Sequence, residues 1–331
     1  MRTAWYSGAT GVISTYLLFF LHKPMSSRIV TLLNAMAPSE GYTLTRLPGV
    51  RLLRSDRALA RTPVLYDPGI VIVCQGRKRG FFGSREYVYD AQHYLAVSVP
   101  VPFDMETDAT PAHPLLAVYL HLDFALAAEL MLQIDRFQSG APVQAPQSML
   151  SSPMDAGINA AVLRLLEALD RPMEAGILAP GLLRELYFRV LTGPQGSALR
   201  EALARKGQYG KIGRALQRLH ADYAAPLTLT ELAGTAGMSV PTFHAHFKAI
   251  TQTSPMQYLK SIRLHQARLL MVRKGLTADV ACRTVGYGSP SQFSREFRRL
   301  FGAAPAAEAH RMRTSFALPP PFDNAGFVSS H

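Results

Sequence analysis

The chain has only two cysteines in 331 residues, Cys74 and Cys282, far apart in sequence. No disulfide framework can be built from them, which fits a reducing cytoplasm. Each follows an apolar run, Ile70–Val73 and Val280-Ala281, so both read as buried structural thiols; a sensing role for Cys74 needs a lowered pKa. Long apolar runs are also scarce. Residues 11–21 form a run of eleven, shorter than the about 20 residues a spanning helix requires, and no small-residue cleavage site marks it as a secretory signal. Met25 opens an ordinary soluble start, MSSRIVTLLNAM, so residues 1–24 read as an upstream leader without structure. No glycine-rich phosphate loop and no G-x-S-x-G elbow occurs, and the acidic residues are scattered, so no catalytic centre is expected.

Acidic charge is in short supply: 35 Lys/Arg face 23 Asp/Glu, a formal net charge of +12. The imbalance is local. Residues 208–313 hold fifteen basic and five acidic side chains, a net of +10, and the remaining 20 basic and 18 acidic residues nearly cancel. A basic module beside a neutral remainder is the footprint of a phosphate-binding unit, where an evenly solvated surface would spread the charge.

Patterning changes along the chain. A short amphipathic helix (Ile29, Leu32, Leu33, Met36) stops before Pro38 and an extended stretch follows. Strands are expected at 64–66, 70–74, 87–89, 94–99 and 116–122, separated by 67–69, 75–83, 90–93 and 100–114; short strands punctuated by Gly and Pro suggest a small sandwich or barrel. Asp123 is placed to cap a helix reaching about Phe137. Pro142, Pro146 and Pro153 mark a connector. After Asp155, the residues Ile158, Ala161, Val162, Leu165, Leu166 and Leu169 form one apolar stripe, and Pro180 opens a second helix with Leu182, Leu183, Leu186, Tyr187, Val190 and Leu191 apolar. These stripes either close the domain core or form a dimer seam.

The basic module carries the sharpest signals. Thr228-Leu229-Thr230-Glu231 is a capping box, the short helix 229–236 stops at Gly237, and Ser239 caps the next helix with Pro241 in its first turn. That helix buries Phe243, Phe247 and Ile250 and turns Pro241, Thr242, His244, Ala245 and Lys248 outward. A short helix, a glycine turn and a capped second helix make a helix-turn-helix. The same grammar recurs: Thr277 caps 278–284, Gly286-Tyr287 turns, and Ser289 caps a helix burying Phe293, Phe297, Leu300 and Phe301 and exposing Ser291, Gln292, Ser294, Arg295, Arg298 and Arg299 before Gly302 ends it. A helix over 255–272 joins the two units. It is about 27 Å long at 1.5 Å per residue, against about 34 Å between successive major grooves on one face of DNA.

Leu232-Ala233, Gly237-Met238-Ser239, Phe243, Phe247, Ser254-Pro255, Tyr258, Arg263-Leu264 and Ala267-Arg268 resemble the first half of an AraC/XylS-type DNA-binding domain. Val285-Gly286-Tyr287, the run from Ser289 to Phe297, Phe301-Gly302 and Pro305 resemble its second half. Residues from Ser26 to about Gly207 also resemble the AraC-type N-terminal domain, through Val73–Lys78, Arg184-Glu185 and Leu191–Gly196. The resemblance implies an α+β chain: a cupin-like β-barrel with flanking helices, then an all-α DNA-binding domain with two helix-turn-helix units joined by a long helix. The expected divisions are leader 1–24, effector-binding barrel 25–145, helical connector and candidate dimerisation region 146–207, DNA-binding domain 208–313 and disordered tail 314–331.

The implied function is that of a cytoplasmic, sequence-specific transcription regulator. Its expected partners are a double-stranded DNA operator, a small-molecule effector, a second copy of the chain and RNA polymerase. The DNA-facing residues are Pro241, Thr242, His244, Ala245, Lys248, Ser291, Gln292, Arg295, Arg298 and Arg299. Family members often carry long polar base readers on the first recognition helix. Here Pro241, His244 and Ala245 supply one hydrogen-bonding side chain, whereas Gln292 and Arg295 on the second suit adenine and guanine edges. For the effector, Tyr66, Tyr87, Tyr89 and Tyr94 are the polar handles in an otherwise apolar strand region. No metal or cofactor is expected: His93, His113 and His121 form no compact His-x-His cluster, and on a helix His244 and His246 point their rings apart. Two rivals fit less well. A cupin-type enzyme needs a metal or converging acid–base pair, and a membrane-surface protein needs an exposed aromatic face opposite the basic one.

Overall fold

The computed structural model describes residues 25–137, 144–204 and 208–315. The leader and nearly all of the expected tail lie outside them. Helix α1 (Met25–Met36) precedes nine strands: β1 (Gly41–Leu44), β2 (Val50–Ser55), β3 (Leu59–Tyr66), β4 (Gly69–Gln75), β5 (Arg77–Phe82), β6 (Arg85–Asp90), β7 (His93–Val97), β8 (Val101–Asp108) and β9 (Leu115–His121). Then come α2 (Phe124–Phe137), β10 (Met149–Pro153), α3 (Ala156–Asp170), α4 (Pro172–Ile177), α5 (Ala179–Thr192) and α6 (Gly196–Leu203). The strands form one curled antiparallel sheet, a half-barrel in the order β1-β2-β9-β4-β7-β6-β5-β8-β3, with β10 added beside β7.

The central strands read as unbroken apolar runs because both faces are covered. In β4, Ile70 and Ile72 join the cluster under the helices, and Val71 and Val73 join the concave cluster. In β9, Leu116, Val118 and Leu120 take the helical side; Leu115, Ala117 and Tyr119 take the concave side. That is the period of two expected of a strand.

Two stretches read as separators are strands. Residues 101–108 alternate buried and half-exposed along VPFDMETD, a clean strand pattern masked by Pro100 and Pro102. Residues 77–82 begin with three basic side chains, yet Lys78, Gly80 and Phe82 point inward. The segment read as a connector also belongs to this layer, since Met149–Pro153 pairs with β7.

Asp155 caps α3 by accepting from the Ile158 amide at 2.6 Å. The stripe behind it, Ile158 to Leu169, is buried to 1% exposure or less within the cluster under the sheet. Each such aliphatic side chain contributes about 1.5–3 kcal/mol by leaving water. The stripe therefore closes the domain core, and the dimer-seam alternative for it is excluded.

The C-terminal part is helical: α7 (Gln208–Ala221), α8 (Leu229–Ala236), α9 (Val240–Thr251), α10 (Pro255–Lys274), α11 (Ala278–Thr284), α12 (Pro290–Phe301) and α13 (Pro305–Ser315). Its first half shares one apolar cluster with the concave face of the sheet, Phe243, Phe247 and Tyr258 lying with Val64, Val101 and Phe103. The second half has its own, built on Phe293, Phe297 and Phe301.

Candidate nucleic-acid interface

Each recognition helix is held by the local chemistry its sequence encodes. Thr228 accepts from the Glu231 amide, the Glu231 carboxylate accepts from the Thr228 amide at 2.8 Å, and this box starts α8. Gly237 ends it with φ of +63°, a left-handed conformation that costs glycine little. Ser239 caps α9, whose buried face is Phe243, Phe247 and Ile250. Pro241, Thr242, His244, Ala245 and Lys248 are exposed as expected, but the Thr242 hydroxyl is hydrogen-bonded to that of Ser239 at 2.8 Å.

The second unit repeats this. Thr277 caps α11, Ser289 caps α12, and Gly302 closes α12 with φ of +76°. Phe293, Phe297 and Phe301 stack along the buried face, with ring centroids 5.5 and 4.5 Å apart. Ser291, Arg295, Arg298 and Arg299 are exposed. Gln292 departs from the expectation. It is half-buried and donates its amide to Glu296 Oε1 at 3.1 Å, so its hydrogen-bonding end is engaged within the protein. Glu296 is the anchor: burial works to raise its carboxyl, but hydrogen bonds from Lys260, Tyr287 and Gln292 outweigh burial and hold it at about 2.

Helix α10 fixes the relation of the two units. Its twenty residues give about 30 Å at 1.5 Å per residue. Arg263 at its middle donates to the carbonyls of Tyr223 (2.7 Å) and Ala225 (2.8 Å), which lead into the first unit, and of Gly286 (3.1 Å), the turn of the second. The same helix meets the sheet domain. The Tyr258 hydroxyl donates to Pro100 O at 2.9 Å and accepts from buried His220 at 2.8 Å; Arg268 donates to Pro63 O at 3.3 Å.

The concave face of the sheet carries a polar cluster that sequence reasoning caught only in part. Lys78, 3% exposed, donates to the Tyr66 hydroxyl at 3.1 Å, and Tyr66 and Tyr89 hydroxyls are 3.4 Å apart. Tyr87 packs half-buried at the margin of that face. Tyr94 does not belong there: alternation along β7 sends it to the helical side with Ala96, so it is set aside as an effector contact. Arg51, Asp67 and Tyr119 extend the cluster, Arg51 and Tyr119 being cross-strand partners. Asp67 is fully buried, and that burial raises its carboxyl to about 7 against the pull of Arg51 and of Arg273 from the end of α10. A lone Arg in a strand and an Asp before Pro-Gly gave no pattern that could have singled them out. Cys282 is buried as expected but Cys74 is half-buried, and its apolar surroundings push its thiol up to about 12, away from the lowered value a sensor needs. Among the described residues no group of three metal-ligating side chains converges, and no helix is long and apolar enough to cross a membrane.

A curled antiparallel sheet packed on two helix-turn-helix units that share one rigid helix defines a two-domain protein of the DNA-binding regulator class. Residues 46–198 match the AraC-type transcriptional regulator N-terminus, and residues 232–311 match a helix-turn-helix domain. The chain belongs to the AraC-type regulators. It is 36% identical over 94 residues to a putative AraC-like transcription regulator of Streptomyces lividans, covering 28% of this chain and 31% of that one. With the RCS-specific HTH-type transcriptional activator RclR of Escherichia coli (strain K12) it shares 31% over 103 residues, 31% of this chain and 36% of that one. The match thus spans about a third of the length of these curated relatives. A longer match, 27% identical over 233 residues, is to the HTH-type transcriptional activator RhaS of Escherichia coli O1:K1 / APEC, covering 67% of this chain and 80% of that one. In fold, the chain resembles unsaturated fatty acid bound wild-type ToxT from Vibrio cholerae strain SCE256, with a TM-score of 0.55 and 11% identity over 84% of this chain and 100% of that one.

Proposed function

We propose that the protein is a transcription regulator that binds a specific DNA operator through both recognition helices and answers to a small-molecule effector in its N-terminal, cupin-like half-barrel. The observation that carries the reading is the pair of capped recognition helices held on one 20-residue helix, with exposed basic side chains on the second. Lys248, Arg295, Arg298 and Arg299 are the phosphate and base contacts, supported by Ser291, Pro241, Thr242, His244 and Ala245. Gln292 is moved to a supporting role because Glu296 holds it. The effector reading rests on the buried Tyr66–Lys78–Tyr89 cluster with Arg51 and Asp67 beside it, polar groups set in an apolar wall. The fatty acid bound to ToxT makes organic acids the first compounds to try.

The protein acts in the cytoplasm, with RNA polymerase as downstream partner and no catalytic role. It acts as a dimer whose contact lies on the exposed apolar side chains of α2 and α5, Leu132 (68% exposed) and Phe188 (46%), since the α3 stripe is buried. Selection of bound duplexes from a random pool, followed by footprinting, tests the core of the reading. A recovered pair of motifs about one helical turn apart is expected; recovery of unrelated sequences with uniform affinity refutes operator binding.

A further inference from the structure

Arg268 sits where four elements meet. It leaves α10 with its side chain 0% exposed. Nη1 donates to Glu308 Oε1 of α13 at 3.4 Å. Nη2 donates to Pro63 O of β3 at 3.3 Å and to His265 Nδ1 of its own helix at 3.2 Å. Burial, with the Arg268 charge adding to it, pushes His265 well below its ordinary value, so the ring is neutral and Nδ1 accepts. The guanidinium carbon lies 4.2 Å from the centroid of the Phe301 ring, the last residue of α12. Such a cation–ring attraction is strongest away from water.

Pro63 O is open to Arg268 because β3 ends the sheet. Its pairing with β8 uses one side of the strand, and the other side leaves carbonyls without a strand partner. The two recognition helices therefore reach the sheet domain by different routes. The last turn of α9 is held directly, Ser148 donating to Ile250 O at 2.6 Å, and its apolar face shares one cluster with the sheet. The apolar face of α12 belongs to a separate cluster of the helical half. Arg268 links the two, with one nitrogen on Pro63 O and its carbon over Phe301.

As a device for stability this arrangement is poor. The ion pair is long, and Nε is buried with no acceptor among the described residues. A buried ion pair adds little over well-packed apolar side chains, whereas a rigid planar fork fixes position. Burial lowers the guanidinium to about 10 against the pull of Glu308, so it stays charged at neutral pH.

We propose that Arg268 is a positioning residue that fixes the second recognition helix against the edge strand of the sheet domain, so that base readout by Arg295 depends on how that strand is seated. The inference rests on operator binding through both recognition helices. Coupling between two sites is reciprocal, so DNA held at α12 is felt at β3.

The test uses the full chain and the operator recovered by selection. Arg268→Met combined with Glu308→Met removes the pair as a unit and keeps the net charge. Operator affinity is expected to fall about tenfold, and random-duplex affinity to stay within about twofold. Footprinting is expected to keep the half-site under α9 protected and to lose protection under α12. In an Arg295→Ala background the paired change is expected to cost less than about threefold, because the contact it positions is already gone. Hydrogen exchange gives the readout that a merely structural residue would not move: operator is expected to slow exchange along β3 in the native chain and not in the variant. Circular dichroism checks the fold. If the paired variant is unfolded, Arg268→Lys carries the test with the same pattern of losses, since a single ammonium beside Glu308 cannot also hold Pro63 O and cover Phe301. Native operator affinity with an intact second footprint in the folded variant overturns the proposal. So does equal weakening with and without Arg295, or exchange in β3 that operator leaves unchanged in the native chain. A native chain that selects no operator overturns operator binding itself, and the coupling with it.

Discussion

Arg263 donates to the carbonyl of Gly286 at 3.1 Å, joining the middle of the connecting helix to the turn of the second helix-turn-helix. Gly286 has φ of +84°, and a Cβ there would meet Ala224 O at 2.3 Å, so the turn is packed against the strand of backbone that leads into the first unit. Arg263 binds that same backbone through Tyr223 O and Ala225 O. One side chain therefore sets the spacing and tilt of both recognition helices.

Replacing Arg263 by Ala removes three charge-assisted hydrogen bonds and leaves the half-buried Tyr223 and Gly286 carbonyls to find other donors. The expected cost is about 2–4 kcal/mol of stability. Lys, with a single point charge in place of a planar fork, should recover less than half of it. Urea unfolding measures this directly. A loss under about 0.5 kcal/mol would show that the fork does not set the geometry.

Arg295→Ala is expected to weaken operator binding by about 1–3 kcal/mol and to relax preference at one base position, because its side chain is exposed near the capped start of α12. Gln292→Ala is expected to cost less than about 1 kcal/mol of affinity, because its amide is already spent on Glu296. Competition against random duplex at fixed salt separates the two. Equal weakening of specific and random DNA by Arg295→Ala would make it a phosphate clamp instead.

The helix-turn-helix half was legible because its signals are local. Thr228, Ser239, Thr277 and Ser289 cap helices in the structure as their spacing implied, and Gly237 and Gly302 stop them. The sheet was less legible because its signals are long-range. Nothing local in RKRGFF says that Lys78 turns inward to Tyr66, or that β10 crosses back to β7 after α2. The faces of tyrosines follow the same rule. Register alone puts Tyr89 in the concave cluster and Tyr94 under the helices, and register is decided by pairing partners far away in the chain. Gln292 could be placed on the outward half of a helix, but its capture by Glu296 depends on Lys260 and Tyr287, which no helical wheel includes.

Two buried groups should give opposing pH dependences. Burial raises Asp67 from 3.8 to about 7, so the folded chain binds a proton there that the unfolded chain has lost; this stabilisation is complete below about 4 and vanishes as pH rises through 7. Burial lowers His220 from 6.5 to about 3, so there the unfolded chain binds the extra proton, and stability falls as pH drops below 6.5. Between pH 4 and 6.5 the two slopes cancel. Asp67→Asn removes one of them. The slope of unfolding free energy against pH should then become more positive by about 1.4 kcal/mol per pH unit in that window. Parallel wild-type and variant curves would mean that Asp67 keeps its ordinary value.

The DNA-binding half should act alone, but less well. Residues 208–315 contain their own caps and stops and the Phe293–Phe301 core, so the excised module should remain helical. Excision opens the seam with the sheet domain: Tyr258 loses Pro100 O, Arg268 loses Pro63 O, and Ile250 O loses the Ser148 hydroxyl at 2.6 Å. The Arg268–Glu308 pair, 3.4 Å apart with both side chains 0% exposed, is then less shielded from water. The module should therefore unfold at lower urea than the full chain. The electrostatic share of DNA affinity travels with it, because the net +10 lies within residues 208–313. If the chain pairs as proposed, the module also loses its partner copy, and with it the effective concentration that linking two modules gives on a two-site operator. Weaker binding with a shallower dependence on salt is expected. If light scattering shows the full chain to be a monomer, and its affinity and salt slope equal those of the module, the dimer on Leu132 and Phe188 is wrong. If circular dichroism shows the module unfolded, the seam with the sheet is part of its core and the boundary before residue 208 is misplaced.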